Sequence, residues 1–129
     1  GHQHDFQALD NGNYMIFANG VHAPAPNNHS RLIEFDPKTK ETIWEYSGTP
    51  KYTFNSPFIS GAQRLWSGNT LICEGQWGRF FEVTPVGDIV WEYISPFLFP
   101  TFRIGANVVA IVSSALIGTR SRDRKYRGA

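Results

Sequence analysis

The sequence contains very little cysteine: Cys73 is the only one among 129 residues. A single thiol excludes an internal disulfide and any metal cluster built from cysteines of this chain. Cys73 ends the apolar run Thr70-Leu71-Ile72-Cys73, and in such a setting cysteine behaves as a small hydrophobic residue. We therefore predict a buried, structural role for it.

Net charge is also low, because 12 Lys and Arg oppose 11 Asp and Glu and leave only +1. No overall field would attract nucleic acid, so we expect no nucleic-acid partner. The positive excess is confined to the last ten residues, which contain Arg120, Arg122, Arg124, Lys125 and Arg127. Basic tails can meet phosphate or acidic lipid, but a solvated, disordered end is the simpler expectation.

No apolar run has the length of a membrane span. The longest covers residues 104–118, a charge-free stretch of 15 residues, whereas a span needs about 20. We expect a buried strand pair or helix there, with a tail anchor or a segment foreign to the fold as alternatives. Residues 1–5 contain no basic segment followed by an apolar one, so we expect no signal peptide, and the compartment stays open.

The chain does contain a repeat. Residues 7–13 return as 63–69, Arg31, Glu34 and Pro37 return as Arg79, Glu82 and Pro85, and Trp44-Glu45-Tyr46 returns as Trp91-Glu92-Tyr93. The offsets are therefore 56, 48 and 47 positions. A repeat of about 40 to 50 residues built from short strands is typical of propeller blades or stacked sheets.

The repeat predicts an all-β fold of two consecutive four-stranded antiparallel propeller blades. Aromatic residues make up 15%, with 12 Gly and 8 Pro, a composition typical of many short strands joined by tight turns. Turn signals at Asp10-Asn11-Gly12, at 36–39, at Ser67-Gly68 and at 84–87 separate the strands. We predict strands at 2–9, 13–18, 31–35, 42–46, 60–66, 70–74, 79–83 and 89–93.

These strands place the first blade at residues 1–49, the second at 50–97, and an apolar segment with a basic tail at 98–129. We expect 13–18 to pair with 31–35 and 70–74 with 79–83, with no helix within 60–93. Apolar residues on both strand faces indicate sheets covered on both sides.

One insertion distinguishes the two units. Residues 19–30 form a loop rich in proline and asparagine, eight residues longer than its counterpart, and it contains His22 and His29. Loops on rigid scaffolds often line sites. No His-x-x-x-His or His-Glu-x-x-His spacing is present, so we expect a solvated loop and no metal.

Several motifs together resemble the arylsulfotransferase family in its β-propeller form. They are Gly1-His2-Gln3-His4-Asp5-Phe6-Gln7 with 10–13, then 30–37, 60–65, 68–72 and 81–85. The similarity covers about residues 1–97. It implies part of a six-bladed propeller that transfers a sulfuryl group from a phenolic sulfate ester to a phenol through a channel histidine. It also implies an aryl sulfate and a phenol as small-molecule partners, no cofactor, and a periplasmic or secreted location.

The resemblance implies a catalytic role for His4, because imidazole is nucleophilic when neutral. Asp5 would fix its tautomer or the strand end. His2, two residues earlier on the same predicted strand face, would bind substrate. Arg31 and Arg79 would bind the sulfate, since guanidinium suits tetrahedral oxyanions. The alternative for the arginines is a structural pairing with Glu34 and Glu82.

The departures from the family pattern keep other functions open. Ser60 and Gly61 replace His4 and Asp5 in the second unit, and only about two blades are present. The alternatives are a non-catalytic propeller segment that binds ligands or partners, or an incomplete gene product. Two blades would leave strand edges and apolar faces open. We therefore expect self-association, either as a three-copy ring or as aggregates.

Overall fold

The computed structural model describes residues 2–96 as eight strands in two antiparallel sheets. Sheet 1 contains β1 (Gln3–Ala8), β2 (Tyr14–Ala18), β3 (Arg31–Phe35) and β4 (Thr42–Tyr46), and sheet 2 contains β5 (Ser60–Arg64), β6 (Thr70–Glu74), β7 (Arg79–Val83) and β8 (Ile89–Ile94). Each sheet is a meander whose spatial order follows the chain. The predictions for 98–129, including the run 104–118 and the basic tail, lie outside the described residues.

The all-β prediction is confirmed at the level of two four-stranded antiparallel sheets. The two predicted pairings hold, with Tyr14 opposite Phe35 in sheet 1 and Thr70 opposite Val83 in sheet 2. No helix within residues 2–96 is long and apolar enough to cross a membrane.

Two 3₁₀ turns interrupt the strands, at Lys51–Thr53 and Gly75–Trp77. The second lies within 60–93, where the sequence predicted no helix, so that prediction is wrong. The reason is local: a connection of only four residues joins β6 to β7, and a tight turn closes it. Gly78 ends the turn at a φ of 61°, with its N–H donating to the carbonyl of Gly75 at 3.2 Å.

Three hairpin turns share one backbone geometry. In each, the N–H of a glycine donates to the carbonyl three residues earlier, as with Gly12 to Leu9 at 3.0 Å and Gly68 to Leu65 at 3.0 Å. The third is Gly87 to Thr84 at 2.9 Å. The glycines take φ values of 88°, 91° and 95°, which residues with a Cβ rarely adopt. In the Asn11-Gly12 pair only the glycine has a positive φ.

The repeated glutamates anchor the repeated turns. Glu34 Oε1 accepts hydrogen bonds from Asn13 Nδ2 at 2.8 Å and Asn11 Nδ2 at 2.9 Å. Glu82 Oε1 accepts the equivalent bond from Asn69 Nδ2 at 2.6 Å. Equivalent residues of the two repeats therefore form equivalent hydrogen bonds.

The core lies between one face of sheet 1 and one face of sheet 2. Sheet 1 supplies Met15, Phe17, Leu32 and Tyr46, and sheet 2 supplies Ala62, Ile72, Phe81 and Val83. Phe54, from the connector between the sheets, packs among them, with ring-centroid distances of 5.4 Å to Phe17, 5.5 Å to Tyr46 and 5.6 Å to Phe81. Burial of large aromatic side chains dominates the stability of such a core.

Polar contacts also join the sheets. Arg64 Nη2 donates to Glu34 Oε2 at 2.7 Å, and its guanidinium lies 4.7 Å from the centre of the Trp44 ring. The indole N–H of Trp44 donates to the carbonyl of Pro85 at 2.8 Å.

The outer faces of the two sheets are partly exposed: on sheet 2, Phe80 and Cys73 are buried, whereas residues of the last strand are not. On sheet 2, Trp91 and Tyr93 are 49% and 47% exposed, and on sheet 1, Phe6 and Ile43 are also exposed. These exposed apolar side chains agree with the expectation that two blades alone leave apolar faces open.

Cys73 is buried on β6, as the sequence predicted. Burial, together with the nearby Asp5 and Glu74 carboxylates, raises the pKa of its thiol to about 12. Because the ordinary value is 9.0, the folded protein should hold about a thousandfold less thiolate than the unfolded chain at neutral pH.

We predict that the native thiol resists alkylation at pH 8 and reacts rapidly in denaturant, as measured by mass spectrometry over time. The sign of the linked pH effect follows from the raised pKa. The unfolded state loses its proton first, so this stabilisation is complete below about pH 9 and is lost as the pH approaches 12. Equal labelling rates for native and denatured protein would contradict the prediction.

Candidate functional site

The two ends of the sheets differ. Tight turns connect the strands at one end, whereas the longer connections 19–30 and 47–59 and the 3₁₀ turn at 75–77 lie at the other, called here the loop end. The four residues that the sequence assigned to the site, His2, His4, Arg31 and Arg79, stand at strand starts. The meander order places all of these starts at the loop end.

His4 forms a defined hydrogen bond at this end. Its Nδ1 lies 2.6 Å from Oδ1 of Asn19, a fully buried residue. Asn19 Nδ2 donates to the carbonyl of Ser56 at 2.7 Å and to Ser60 Oγ at 2.9 Å. Because the carbonyl oxygen of Ser56 only accepts hydrogen bonds, the Nδ2 amino group of Asn19 must face Ser56. The Oδ1 oxygen of Asn19 must then face His4.

The orientation of Asn19 sets the tautomer of His4. An amide oxygen is only an acceptor, so Nδ1 of His4 carries the proton, and in the neutral ring Nε2 carries the lone pair. No hydrogen bond is made to this Nε2 by any residue within 2–96. His4 is half-buried and its ring is held through Nδ1, which leaves Nε2 as the ring atom with the lone pair.

Of the two roles expected for Asp5, fixing the His4 tautomer is wrong, since Asn19 bonds His4 Nδ1. Asp5 Oδ2 accepts hydrogen bonds from the N–H of Ala62 at 2.5 Å and from Gln7 Nε2 at 3.1 Å, and Gln7 also donates to the carbonyl of Ala62. A φ of 51° at Asp5 and a bulge between His4 and Gln7 divert this side chain to sheet 2.

The Asn19 support is itself rigid. Ser30 Oγ accepts a hydrogen bond from the N–H of Ser56 at 2.7 Å and lies 3.2 Å from the carbonyl of Asn19. Gly20, at a φ of 83°, lets the chain pass against the backbone of His29, where a Cβ would clash. Buried polar groups that are hydrogen-bonded in this way hold a site in one conformation. Asn19 was missed at the sequence level, and its only signal was its place as the first residue of the insertion.

His2 does not share a strand face with His4, so that expectation is wrong. His2 lies one residue before β1 at a φ of 56°, which breaks the strand alternation. Its ring instead packs on His22, with centroids 4.8 Å apart, and its carbonyl accepts from the N–H of Asn19 at 2.9 Å.

The repeated arginines pair with glutamates other than Glu34 and Glu82. Arg31 Nη1 lies 3.4 Å from Glu45, while Arg79 bonds Glu92 at 2.6 Å and Glu74 at 3.1 Å. Burial opposes the charge on Arg79, but the hydrogen bonds to Glu92 and Glu74 outweigh it and raise its pKa. Arg79 is thus paired with two carboxylates, whereas Arg31 has one long contact. Arg31 pairs with Ala18 and His4 with Phe17, so Arg31 lies on the face of sheet 1 opposite to His4 and the structure does not bring the two together.

The two loop histidines have different environments. His22 is exposed, but His29 is buried to 1% exposure and packs edge-on against Tyr52 at 5.9 Å. The solvated-loop expectation is therefore wrong for His29, since the loop folds back over its C-terminal residues. Across the described chain, no three His, Cys, Asp or Glu side chains are grouped so that they could hold a metal ion.

These features define an all-β protein of two stacked four-stranded antiparallel sheets with a histidine held at one end. No family model matches the sequence, and no curated protein matches it either. A solved structure of a protein of unknown function from Bacteroides caccae is similar, with a TM-score of 0.52 and 14% identity. The similarity covers 72% of this chain and 31% of that protein, so this chain matches about a third of its length. At this identity the likeness concerns the fold alone.

Proposed function

We propose that the two sheets are blades of a β-propeller and that the chain is arylsulfotransferase-like, with His4 as the residue that accepts the sulfuryl group. The repeated meander supports the blade assignment, because the two sheets stack with the same turns at the same end. The length ratio to the Bacteroides caccae protein is compatible with it, since two sheets would fill about a third of a six-bladed ring.

The observation that carries the proposal is the hydrogen bond between His4 Nδ1 and Asn19 Oδ1 at 2.6 Å. It leaves Nε2 as the only ring atom with a lone pair in the neutral form. An activated nucleophile needs a partner that holds its reactive atom outward, and buried Asn19 meets that need.

The transfer would occur in two steps that balance. The lone pair of His4 Nε2 attacks the sulfur of the aryl sulfate, an N–S bond forms, the ester S–O bond breaks, and the phenolate leaves with that electron pair. An acceptor phenol then gives its proton to solvent base, its oxygen attacks the same sulfur, and the N–S bond breaks to return neutral His4. His4 pairs with Phe17 and Arg31 pairs with Ala18, so strand alternation places Arg31 on the face of sheet 1 opposite to His4, away from the sulfuryl oxygens. Arg79 and His2, the remaining substrate-binding candidates, have other contacts to give up first.

The test is to incubate the purified full chain with p-nitrophenyl sulfate and phenol, follow p-nitrophenolate release, and search for a sulfuryl adduct by peptide mass spectrometry. We expect an adduct on His4 and loss of both signals in His4→Ala. Trp66→Ala is the control for unspecific loss, because Trp66 is 94% exposed in a tight turn at the end of the sheets opposite to His4, and it should keep both signals.

Two outcomes would remove the proposal. Release that persists in His4→Ala would exclude His4 as the nucleophile. Absence of both release and adduct in the parent protein would favour the non-catalytic binding segment instead.

A further inference from the structure

The two sheets stack in the same sense and not as mirror partners. Offsets of 48 and 47 positions relate Leu32, Glu34, Trp44 and Tyr46 of sheet 1 to Phe80, Glu82, Trp91 and Tyr93 of sheet 2. The first set faces sheet 2, whereas the second set lies on the face of sheet 2 that points away from sheet 1, since it alternates with the core residues Phe81 and Val83. The interface is therefore heterologous, and such an interface can be repeated on its free side.

On sheet 1 this face binds an arginine of the next sheet. Glu34 Oε2 accepts from Arg64 Nη2 at 2.7 Å, and the guanidinium lies 4.7 Å from the centre of the Trp44 ring. Tyr46 stacks beside Trp44 with centroids 6.4 Å apart and an interplanar angle of 16°. A carboxylate and an aromatic ring together give a guanidinium both charge pairing and a stacking surface.

On sheet 2 the same arrangement is formed but has no cation. Trp91 and Tyr93 stack with centroids 6.5 Å apart at 17°, nearly the geometry of the sheet 1 pair. Glu82 Oε1 is held by Asn69, as Glu34 Oε1 is held by Asn13. Within residues 2–96 no group bonds Glu82 Oε2, the atom equivalent to the one that binds Arg64.

We propose that the outer face of sheet 2 is the docking surface for a third sheet of this repeat, which it recognises by an arginine at the position equivalent to Arg64. That arginine binds Glu82 Oε2 and lies over Trp91. The argument rests on continuity with the existing interface between the sheets and on charge complementarity, and it does not depend on the chemistry of His4.

A second copy of the same sequence is a poor occupant of this surface. The repeat places Ala8 where Arg64 stands, so the exposed face of sheet 1 offers no cation to Glu82. The repeat also places Gly61 where Asp5 stands. Sheet 2 therefore has no carboxylate that could accept a backbone N–H from the next sheet, as Asp5 accepts the N–H of Ala62. Two of the polar contacts that join sheets 1 and 2 would be missing at a junction between copies.

The same comparison supplies the experiment, since Ala8→Arg gives the exposed face of sheet 1 the missing arginine. We expect the full-length Ala8→Arg chain to self-associate about tenfold or more tightly than the parent, because a hydrogen bond to a charged partner typically contributes that much. Sedimentation velocity at several concentrations and two salt concentrations measures this. High salt should weaken the gain.

Two variants make the result specific. The double variant Ala8→Arg and Glu82→Gln should have the association constant of the parent, because the carboxylate that binds the arginine is absent. Val21→Arg adds the same charge to an exposed loop residue at the loop end and should change nothing. Circular dichroism on each variant confirms that it is folded.

Three outcomes would overturn the proposal. Tight association of the parent that Glu82→Gln leaves unchanged would mean that a second copy occupies the surface without an arginine. A folded Ala8→Arg chain with unchanged association would mean that the outer face of sheet 2 does not recognise arginine. A gain that survives Glu82→Gln would mean that the added charge acts elsewhere.

Discussion

Replacing Phe81 with alanine should lower the free energy of unfolding by about 3–5 kcal/mol, the usual cost of removing a buried phenylalanine ring. Phe81 is fully buried and meets Tyr46 of sheet 1 and Phe54 of the connector, at 5.9 Å and 5.6 Å between ring centroids. Small domains have a total stability of about 5–15 kcal/mol. This single change should therefore greatly lower the urea concentration at the midpoint of unfolding, or prevent folding.

Phe6→Ala is the matched control for this prediction. It removes the same ring from the outer face of sheet 1, where Phe6 is 61% exposed, and should cost less than about 1 kcal/mol. If the two variants lost stability equally, the assignment of the core to the space between the sheets would be wrong.

Glu34→Ala should be the second most destabilising change, by about 2–4 kcal/mol, a little below the usual cost of breaking a buried ion pair. Glu34 is 4% exposed and accepts hydrogen bonds from the side chains of Arg64, Asn11 and Asn13. Its removal therefore leaves three donors without their acceptor. Arg64 keeps some solvent contact, which lowers the expected cost. Denaturant titration measures the change.

The repeat provides the control, because Glu82 is the equivalent glutamate and has Asn69 but no arginine as a partner within the described residues. Glu82→Ala should cost less than about 1.5 kcal/mol, as expected for one hydrogen bond. A loss equal to that of Glu34→Ala would show that the bridge between the sheets contributes nothing beyond the turn contact.

The strands and turns could be predicted from the sequence because their determinants are local. Gly12, Gly68 and Gly87 mark three of the four tight turns within residues 2–96, the fourth having Lys40 at a φ of 64°, and strand bounds followed to within about two residues. The internal repeat supplied a second, independent indication for each element. Elements whose conformation depends on residues close to them along the chain can be predicted from a single sequence.

The ion pairs were misassigned for a reason that strand geometry explains. Arg31 and Glu34 are three positions apart on β3, so alternation places them on opposite faces. Glu45 lies opposite Ile33, which shares the face of Arg31, and this diagonal relation brings the two charges together. The same rule takes Arg79 to Glu92 and not to Glu82.

The support of His4 could not be predicted because it comes from distant parts of the chain. Asn19 reaches Ser56 and Ser60, 37 and 41 positions away, and these contacts exist only after the two sheets have docked. Asp5 was the nearest carboxylate in sequence, yet the bulge at the start of β1 turned it toward Ala62. Proximity along the chain was a poor guide where the backbone departs from regular strand geometry.

The amide of Ala62 reports on the docking of the two sheets. Its hydrogen is bonded to the carboxylate of Asp5 across the gap between them and not to a neighbouring strand of its own sheet. Amide hydrogens exchange with solvent when the structure that protects them opens. Deuterium should therefore enter at Ala62 whenever the sheets separate, even while each meander stays intact, and its exchange rate would separate a hinge-like parting of the sheets from global unfolding.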